Sequence, residues 1–72
     1  VEVAVSEFSS ANGRSVARLM LWQKTGATLM AIRRGTEVII SPGSGAILQS
    51  GDRLVVVGSG NILEKVAAIL NE

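Results

Sequence analysis

The sequence contains no cysteine, histidine or tyrosine, and its 72 residues include only one proline, one tryptophan and one phenylalanine. Without cysteine and histidine the chain has no disulfides, thiol nucleophiles, imidazole bases or common zinc sites. Serines are frequent, but there is no histidine to activate one. The acidic residues are dispersed rather than paired or clustered, so hard-metal sites and acid–base pairs are also disfavoured. We therefore expect neither an enzyme nor a metal site.

An excess of one charge and long apolar runs are also missing. Seven basic and six acidic side chains give a net charge of +1, which provides no basic stripe for nucleic acid or anionic lipid. The longest apolar runs, such as Leu54–Val57, are far shorter than the roughly 20 residues that span a bilayer. No signal peptide is visible. We expect no binding to nucleic acid and no direct insertion into a bilayer.

The residues that are present predict one small folded domain over 1–72. Val, Leu, Ile and Phe account for 23 of the 72 residues, too many for a disordered chain with so little net charge. A chain of this size buries only roughly 60% of its unfolded surface, so its core is marginal. Strand-like alternation already begins at Val1, which predicts a domain excised from a longer protein, with a processed N-terminus as the alternative.

Hydrophobic periodicity predicts an α+β fold with the order β-α-β-β-(β)-β-α, in which a mostly antiparallel sheet carries two helices. Gly35-Thr36 predicts a type II′ turn between the second and third strands. The fourth strand, with the run Leu54–Val57, is predicted to be buried on both faces, and Leu29 and Ala31 are expected to oppose Met30 and Ile32. The predicted strands are Val1–Val5, Ala27–Arg34, Glu37–Ser41 and Arg53–Gly58, with a short strand or tight bend at Ala46–Gln49. A first helix is predicted from Arg14, with the apolar stripe Val16, Leu19, Met20 and Gln23. The last helix is predicted to have Asn61 and Glu64 as a capping-box pair and Ile62, Val66, Ile69 and Leu70 as its buried stripe.

Three local features allow more than one interpretation. Gly58-Ser59-Gly60 suggests a dinucleotide loop, but Leu63 stands where close helix–strand packing needs a small residue, so the glycines are assigned to a turn. Arg33-Arg34 is either ordinary surface charge at a hairpin tip or a contact of one arginine with an anion or nucleotide, because strand neighbours point to opposite faces. Trp22 is either a lid on the core or an interface anchor.

Four stretches that follow one another in register carry a family resemblance. They are Gly13–Leu21, Gly26–Gly35, Ser41–Pro42 and Leu48–Gly58. They resemble the motifs of the regulator-of-potassium-conductance C-terminal domain, also called TrkA-C: G-K-[ST]-L-x-x-L-x-[LI], G-x-x-[IV]-[IV]-A-I-x-R-G, [SP]-P and L-x-x-G-D-x-L-[IV]-[VL]-x-G. The positions that carry these motifs are mostly structural: Gly13, Gly26, Gly35, Gly51, Asp52 and Gly58.

The resemblance implies a non-catalytic, dimerising ligand-sensor domain of a potassium or other monovalent-cation transporter or channel. Its partner would be a membrane subunit or its own membrane domain, which would hold it in the cytoplasm at the membrane. The alternative is a purely structural oligomerisation module without a ligand. No cofactor is implied as required, but some family members bind cyclic di-AMP near the end of the first helix and the next strand. Carried onto this sequence, the ligand-binding residues are Leu21, Trp22, Thr28, Arg33, Arg34 and Pro42, with Trp22 and Thr28 standing where the family commonly has an arginine and a polar amide.

Overall fold

A computed structural model describes residues 1–71. The elements are β1 (Glu2–Ala4), α1 (Val16–Leu19), α2 (Leu21–Thr25), β2 (Thr28–Arg34), β3 (Glu37–Ile40), β4 (Arg53–Val57) and α3 (Ile62–Leu70). The strands form one antiparallel sheet in the order β1-β4-β2-β3, so the predicted α+β fold is confirmed. The ambiguous segment at 46–49 forms no strand of the sheet, but it makes one isolated antiparallel bridge between Ile47 and Ser15.

The core lies between one face of the sheet and α3. Val3 pairs with Leu54, Leu54 with Ile32, and Ile32 with Ile39, so these side chains form one row across all four strands. Leu54 and Ile32 are completely buried. The predicted apolar stripe of α3 packs against this face, and it comprises Ile62, Val66, Ile69 and Leu70, all buried.

The start of α3 differs from the expected capping box. Asn61 makes no side-chain cap hydrogen bond, and its backbone at φ −82° and ψ 49° is outside the extended region that lets an N-cap side chain reach the helix amides. Gly58 does more than allow a turn, because a Cβ there would lie 2.6 Å from Cδ1 of Ile62. The absence of that atom lets the first turn of α3 pack closely on the end of β4.

The predicted first helix is divided at Met20, where the backbone is left-handed with φ 50° and ψ 45°. Residues two apart on a continuous helix point in different directions, yet Leu19 and Leu21 are both buried. The break reorients the chain so that both leucines reach the core. Consequently the predicted stripe is wrong at Met20, which is 47% exposed, and at Gln23, which is also exposed.

A β-bulge at Met30 changes the predicted alternation of β2. Leu29 is paired with Val56 and Ala31 with Val55, so Met30 is an extra residue on its strand. The bulge places Leu29 on the core side and Ala31 on the opposite side, since Ala31 shares its face with Val55. The expectation that Leu29 and Ala31 share a face is therefore wrong.

The sheet face opposite α3 is open in residues 1–71. Val57 is 57% exposed and Val55 is only half-buried, so the prediction that β4 is buried on both faces is wrong for the part of the chain that the structure describes. Two β3 side chains, Val38 and Ile40, are also exposed on this face. The hairpin that carries them turns at Gly35 with φ 59° while Thr36 keeps a negative φ, as a type II′ turn requires.

A buried carboxylate fastens the end of β2 to the loop before β4. Asp52 is completely buried and accepts two hydrogen bonds of 2.8 Å from Arg34 and one of 2.9 Å from the Gln49 amide. The hydrogen bonds from Arg34 hold the pKa of the Asp52 carboxyl below its ordinary value, against the effect of burial. The same contact raises the pKa of Arg34. Arg34 also donates to the Ile47 carbonyl at 3.0 Å.

Within residues 1–71, no helix combines the length and the hydropathy that crossing a membrane requires.

Replacing Asp52 with Asn should lower the free energy of unfolding by about 2 kcal/mol, because charge-assisted hydrogen bonds are lost in a buried setting. Urea denaturation monitored by circular dichroism measures the change. The matched control is Glu2→Gln, which removes the exposed ion pair of 2.9 Å with Arg33 and should cost less than about 0.5 kcal/mol. Equal losses in the two variants would show that the burial of Asp52 has no energetic importance.

The stability contributed by Asp52 should also depend on pH. Because the folded state lowers the pKa of this carboxyl, the contribution is complete above the unfolded pKa of about 3.9 and disappears as the pH falls through the lower folded value. The stability difference between the wild-type chain and Asp52→Asn should therefore shrink between pH 5 and pH 2. Urea titrations at several pH values check this, and a difference that stays constant over that interval contradicts it.

Candidate functional site

A cavity of about 460 Å³ lies between the two short helices, the start of β2 and the loop after β3. Its volume is within the range of small-molecule sites in proteins. Most of its lining is apolar, and the polar members are neutral. The lining residues are Val16, Ala17, Met20, Leu21, Trp22, Gln23, Ala27, Thr28, Leu29, Pro42 and Ser44.

The wall formed by α2 is held by a short series of hydrogen bonds. The Thr25 hydroxyl donates to the Leu21 carbonyl at 2.6 Å and accepts from the Ala27 amide at 3.0 Å. The Gly26 amide donates to the Trp22 carbonyl at 2.9 Å, and Gly26 has the left-handed φ of 75° that ends a helix readily only at glycine. These contacts, together with the buried side chain of Leu21, fix the backbone that carries Trp22.

The facing wall comes from the loop after β3. Ser41 has a positive φ of 48° and donates its amide to the Met30 carbonyl at 2.8 Å, so the chain turns sharply at the bulge. The same loop is joined to α1, because the Ala17 amide donates to the Ser44 carbonyl at 3.0 Å. The loop therefore places Pro42 and Ser44 beside the cavity.

Four of the six predicted ligand-binding residues line this one cavity: Leu21, Trp22, Thr28 and Pro42. The structure does not bring Arg33 and Arg34 to it. They lie near the far end of β2, and a strand rises about 3.3 Å per residue, so Thr28 and Arg34 are about 20 Å apart along the chain. Arg34 is bound to Asp52, and Arg33 pairs with Glu2 on the open sheet face.

Trp22 is 67% exposed, which excludes the interpretation of this side chain as a lid on the core.

Sequence reasoning missed several other lining residues. Met20 and Gln23 were assigned to the buried stripe of a continuous helix, and the left-handed break at Met20 left no recognisable signal. Ser44 had a weak signal, since it follows Pro42 by two residues within the same loop. The remaining missed residues are Val16, Ala17, Ala27 and Leu29.

The chemistry of this cavity suits binding. In the part of the chain described by the structure, no charged side chain lines it, and Gln23, Thr28 and Ser44 supply its neutral hydrogen-bonding groups. Neither an acid–base pair nor an activated nucleophile is present among these side chains. Across residues 1–71 there is also no cluster of three acidic side chains that can hold a metal ion. The arrangement fits a ligand with a flat or apolar part and a few polar groups at its edge.

Comparisons with solved structures give close matches. The RCK_C domain dimer of S. agalactiae BusR in complex with c-di-AMP is 34% identical with a TM-score of 0.87, covering 99% of this chain and 93% of that chain. The RCK C domain of the potassium transport protein KtrA in complex with cyclic diadenosine monophosphate is 34% identical with a TM-score of 0.84, covering 94% of this chain and 78% of that chain. No match was found among curated proteins.

Longer relatives contain this fold as one part. BusR in complex with its busAB-promoter DNA is 34% identical with a TM-score of 0.87, and the match covers 99% of this chain but only 35% of that BusR chain. The GsuK channel bound to NAD, at 24% identity and a TM-score of 0.78, shares the fold over 94% of this chain and 13% of its own. The sequence model of the TrkA-C domain family matches residues 1–71 of this chain. The chain therefore belongs to the TrkA-C, or RCK_C, family of regulatory domains.

Proposed function

We propose that this domain is a dimerising sensor of a nucleotide effector that regulates a potassium or other monovalent-cation transporter or channel. The observation that carries the proposal is the cavity itself. It brings together Leu21, Trp22, Thr28 and Pro42, the residues that the family resemblance assigned to a ligand from separate parts of the sequence. Two relatives with 34% identity are described in complex with c-di-AMP, which makes a cyclic dinucleotide the first effector to test. No required cofactor is proposed.

The dimer completes the site in this proposal. Met20 and Trp22 expose large apolar surfaces at the cavity, and a domain this small gains burial from a partner that its own core cannot supply. BusR provides the precedent, since its RCK_C domain with c-di-AMP is described as a dimer. An effector that contacts both copies favours one arrangement of the two subunits over another. That difference in binding free energy is what shifts the population of the attached protein.

The process that the domain regulates depends on the protein to which it is attached. KtrA is described as a potassium transport protein, and this supports a cytoplasmic domain held at the membrane by its own membrane domain or by a transporter or channel subunit. BusR was solved with promoter DNA, so the fold also occurs in a protein that binds DNA. We assign no DNA contact to this chain, because its net charge is only +1 and nucleic-acid binding needs a basic surface.

One observation favours a second function, a structural oligomerisation module without any ligand. Val38, Ile40 and Val57 are each more than half exposed on the open face of the sheet. A second copy on that face would bury them, and the nearest cavity residue would be Thr28, the pairing partner of Val57. Ligand binding and association can be measured separately, so the two functions can be distinguished.

For residues 1–72, c-di-AMP should raise the midpoint of thermal unfolding in a saturable way. At a hundredfold excess over the dissociation constant, the stabilisation should reach about 2.7 kcal/mol. Differential scanning fluorimetry with c-di-AMP, cyclic di-GMP and NAD measures the effect, and sedimentation equilibrium at tens of micromolar measures the dimer. A dimer that none of these nucleotides stabilises favours the oligomerisation module. A chain that stays monomeric with and without them contradicts both functions.

Thr28→Glu should weaken the binding of c-di-AMP roughly tenfold or more, because it places a negative charge in an uncharged cavity opposite a ligand that carries phosphates. Thr28 is exposed at the start of β2, so the fold should tolerate the change. Thr36→Glu is the matched control, since it adds the same charge in the β2–β3 turn outside the cavity lining. Isothermal titration calorimetry compares both variants. Equal affinity in the two would place the ligand elsewhere.

A further inference from the structure

Trp22 has a position that the interactions of the folded domain do not explain. It is the only tryptophan, and the chain has no tyrosine. Its side chain lines the cavity yet remains 67% exposed. An indole gains stability when its large surface is covered, so a tryptophan held at the wall of an open cavity has unused binding capacity.

The backbone beneath the indole is fixed before any ligand arrives. The Trp22 carbonyl accepts from Gly26, and the preceding Leu21 is buried with its carbonyl bonded to the Thr25 hydroxyl. The side chain itself has only two rotatable bonds, so fixing it against a ligand costs little conformational entropy. The backbone of Trp22 is therefore preorganised, and only the indole remains to be ordered when a ligand binds.

The lining that this chain supplies restricts what this surface recognises. Among the residues that the structure describes, the lining contains no cation, and Arg34, at the far end of β2, is engaged by Asp52. No side chain of this lining can therefore make a charge-assisted contact with a phosphate. The lining offers instead a π-face and the neutral polar groups of Gln23, Thr28 and Ser44. These groups fit the flat ring and the edge atoms of a heteroaromatic base.

We propose that Trp22 is the specificity-determining residue of this cavity: its indole stacks on the base of the effector, so the lining that each copy supplies selects the ligand by its heteroaromatic base. This inference rests on the proposed function, since it concerns the same cavity. The resemblance leads one to expect an arginine at this position, and this sequence has Trp22 instead. A tryptophan offers stacking in place of a charge-assisted contact, and base–aromatic stacking contributes strongly to the binding of nucleotides.

The fluorescence of Trp22 tests the stacking directly, because no other residue of the chain emits when excited at 295 nm. Titration of residues 1–72 with c-di-AMP should quench this emission to saturation. Adenosine, which has the base without phosphate, should quench it to saturation at higher concentration. Ribose 5-phosphate, which has a phosphate without the base, should leave the emission unchanged. If ribose 5-phosphate displaces c-di-AMP while adenosine does not, phosphate recognition dominates and the proposal is wrong.

Substitutions separate stacking from simple apolar contact. Trp22→Leu keeps an apolar side chain but removes the flat ring, and it should weaken c-di-AMP binding roughly tenfold or more. Trp22→Phe keeps a smaller ring and should lose only a few-fold. Phe8→Leu is the control, because it removes an aromatic side chain that is 89% exposed outside the cavity lining. Calorimetry measures all three.

The binding measurements distinguish a failure of the stacking role of Trp22 from a failure of the sensor function. If the wild-type chain binds c-di-AMP and Trp22→Leu binds it equally well, Trp22 does not stack and the sensor function stands. If no nucleotide binds the wild-type chain, the sensor function fails and this inference fails with it. Sedimentation of the variants without ligand is the last measurement. A Trp22→Leu chain that becomes monomeric while the control stays dimeric assigns Trp22 to the subunit contact and overturns the stacking role.

Discussion

The carboxylate of Asp52 is the interaction on which the junction of the sheet with its loops depends. Its side chain accepts hydrogen bonds from Arg34 and from the Gln49 amide, while its backbone carbonyl accepts from the Val5 amide at 2.8 Å. The end of β1, the end of β2 and the bend before β4 thus meet at one residue. A buried charge is tolerated only when its oxygens have partners, so each segment must adopt its native position for the others to be stable.

The position of this interaction separates Arg34 from the candidate site. Arg34 is one of the two arginines that the family resemblance associated with a ligand, and its guanidinium is bound to Asp52 at the far end of β2. The cavity lies at the beginning of the same strand, where Thr28 is the only β2 residue with a hydroxyl. The strand therefore separates a polar junction, which provides stability, from a mostly apolar cavity.

The open face of the sheet is the other consequence of small size. Two layers are enough to bury the row that includes Leu54 and Ile32, but the chain has no further helix in residues 1–71 to cover Val38, Ile40 and Val57. The Arg33–Glu2 ion pair lies on this face and keeps part of it polar. The open face and the cavity adjoin at the start of β2, where Thr28 lines the cavity and pairs with Val57.

Predictions from the sequence were most reliable where a local pattern and the tertiary packing agreed. The stripe of α3 and the glycine turn at Gly35 follow from spacing and backbone chemistry alone, and both are present in the structure. Prediction was wrong where packing overrides the local pattern. A left-handed methionine and a bulge have no reliable signature in a single sequence, because both arise only when neighbouring side chains compete for one core.

The sequence by itself determined the α+β fold, the family and four of the residues that line the cavity, because turn glycines, apolar periodicity and motif spacing are properties of neighbouring residues. Tertiary structure alone decided which cations lie at the cavity and how the first helix is divided at Met20 so that both Leu19 and Leu21 are buried. Those outcomes depend on distances between segments far apart in the chain. The two arginines adjoin in sequence, but they point to opposite faces of the sheet about 20 Å along the strand from Thr28, and no local pattern encodes that separation.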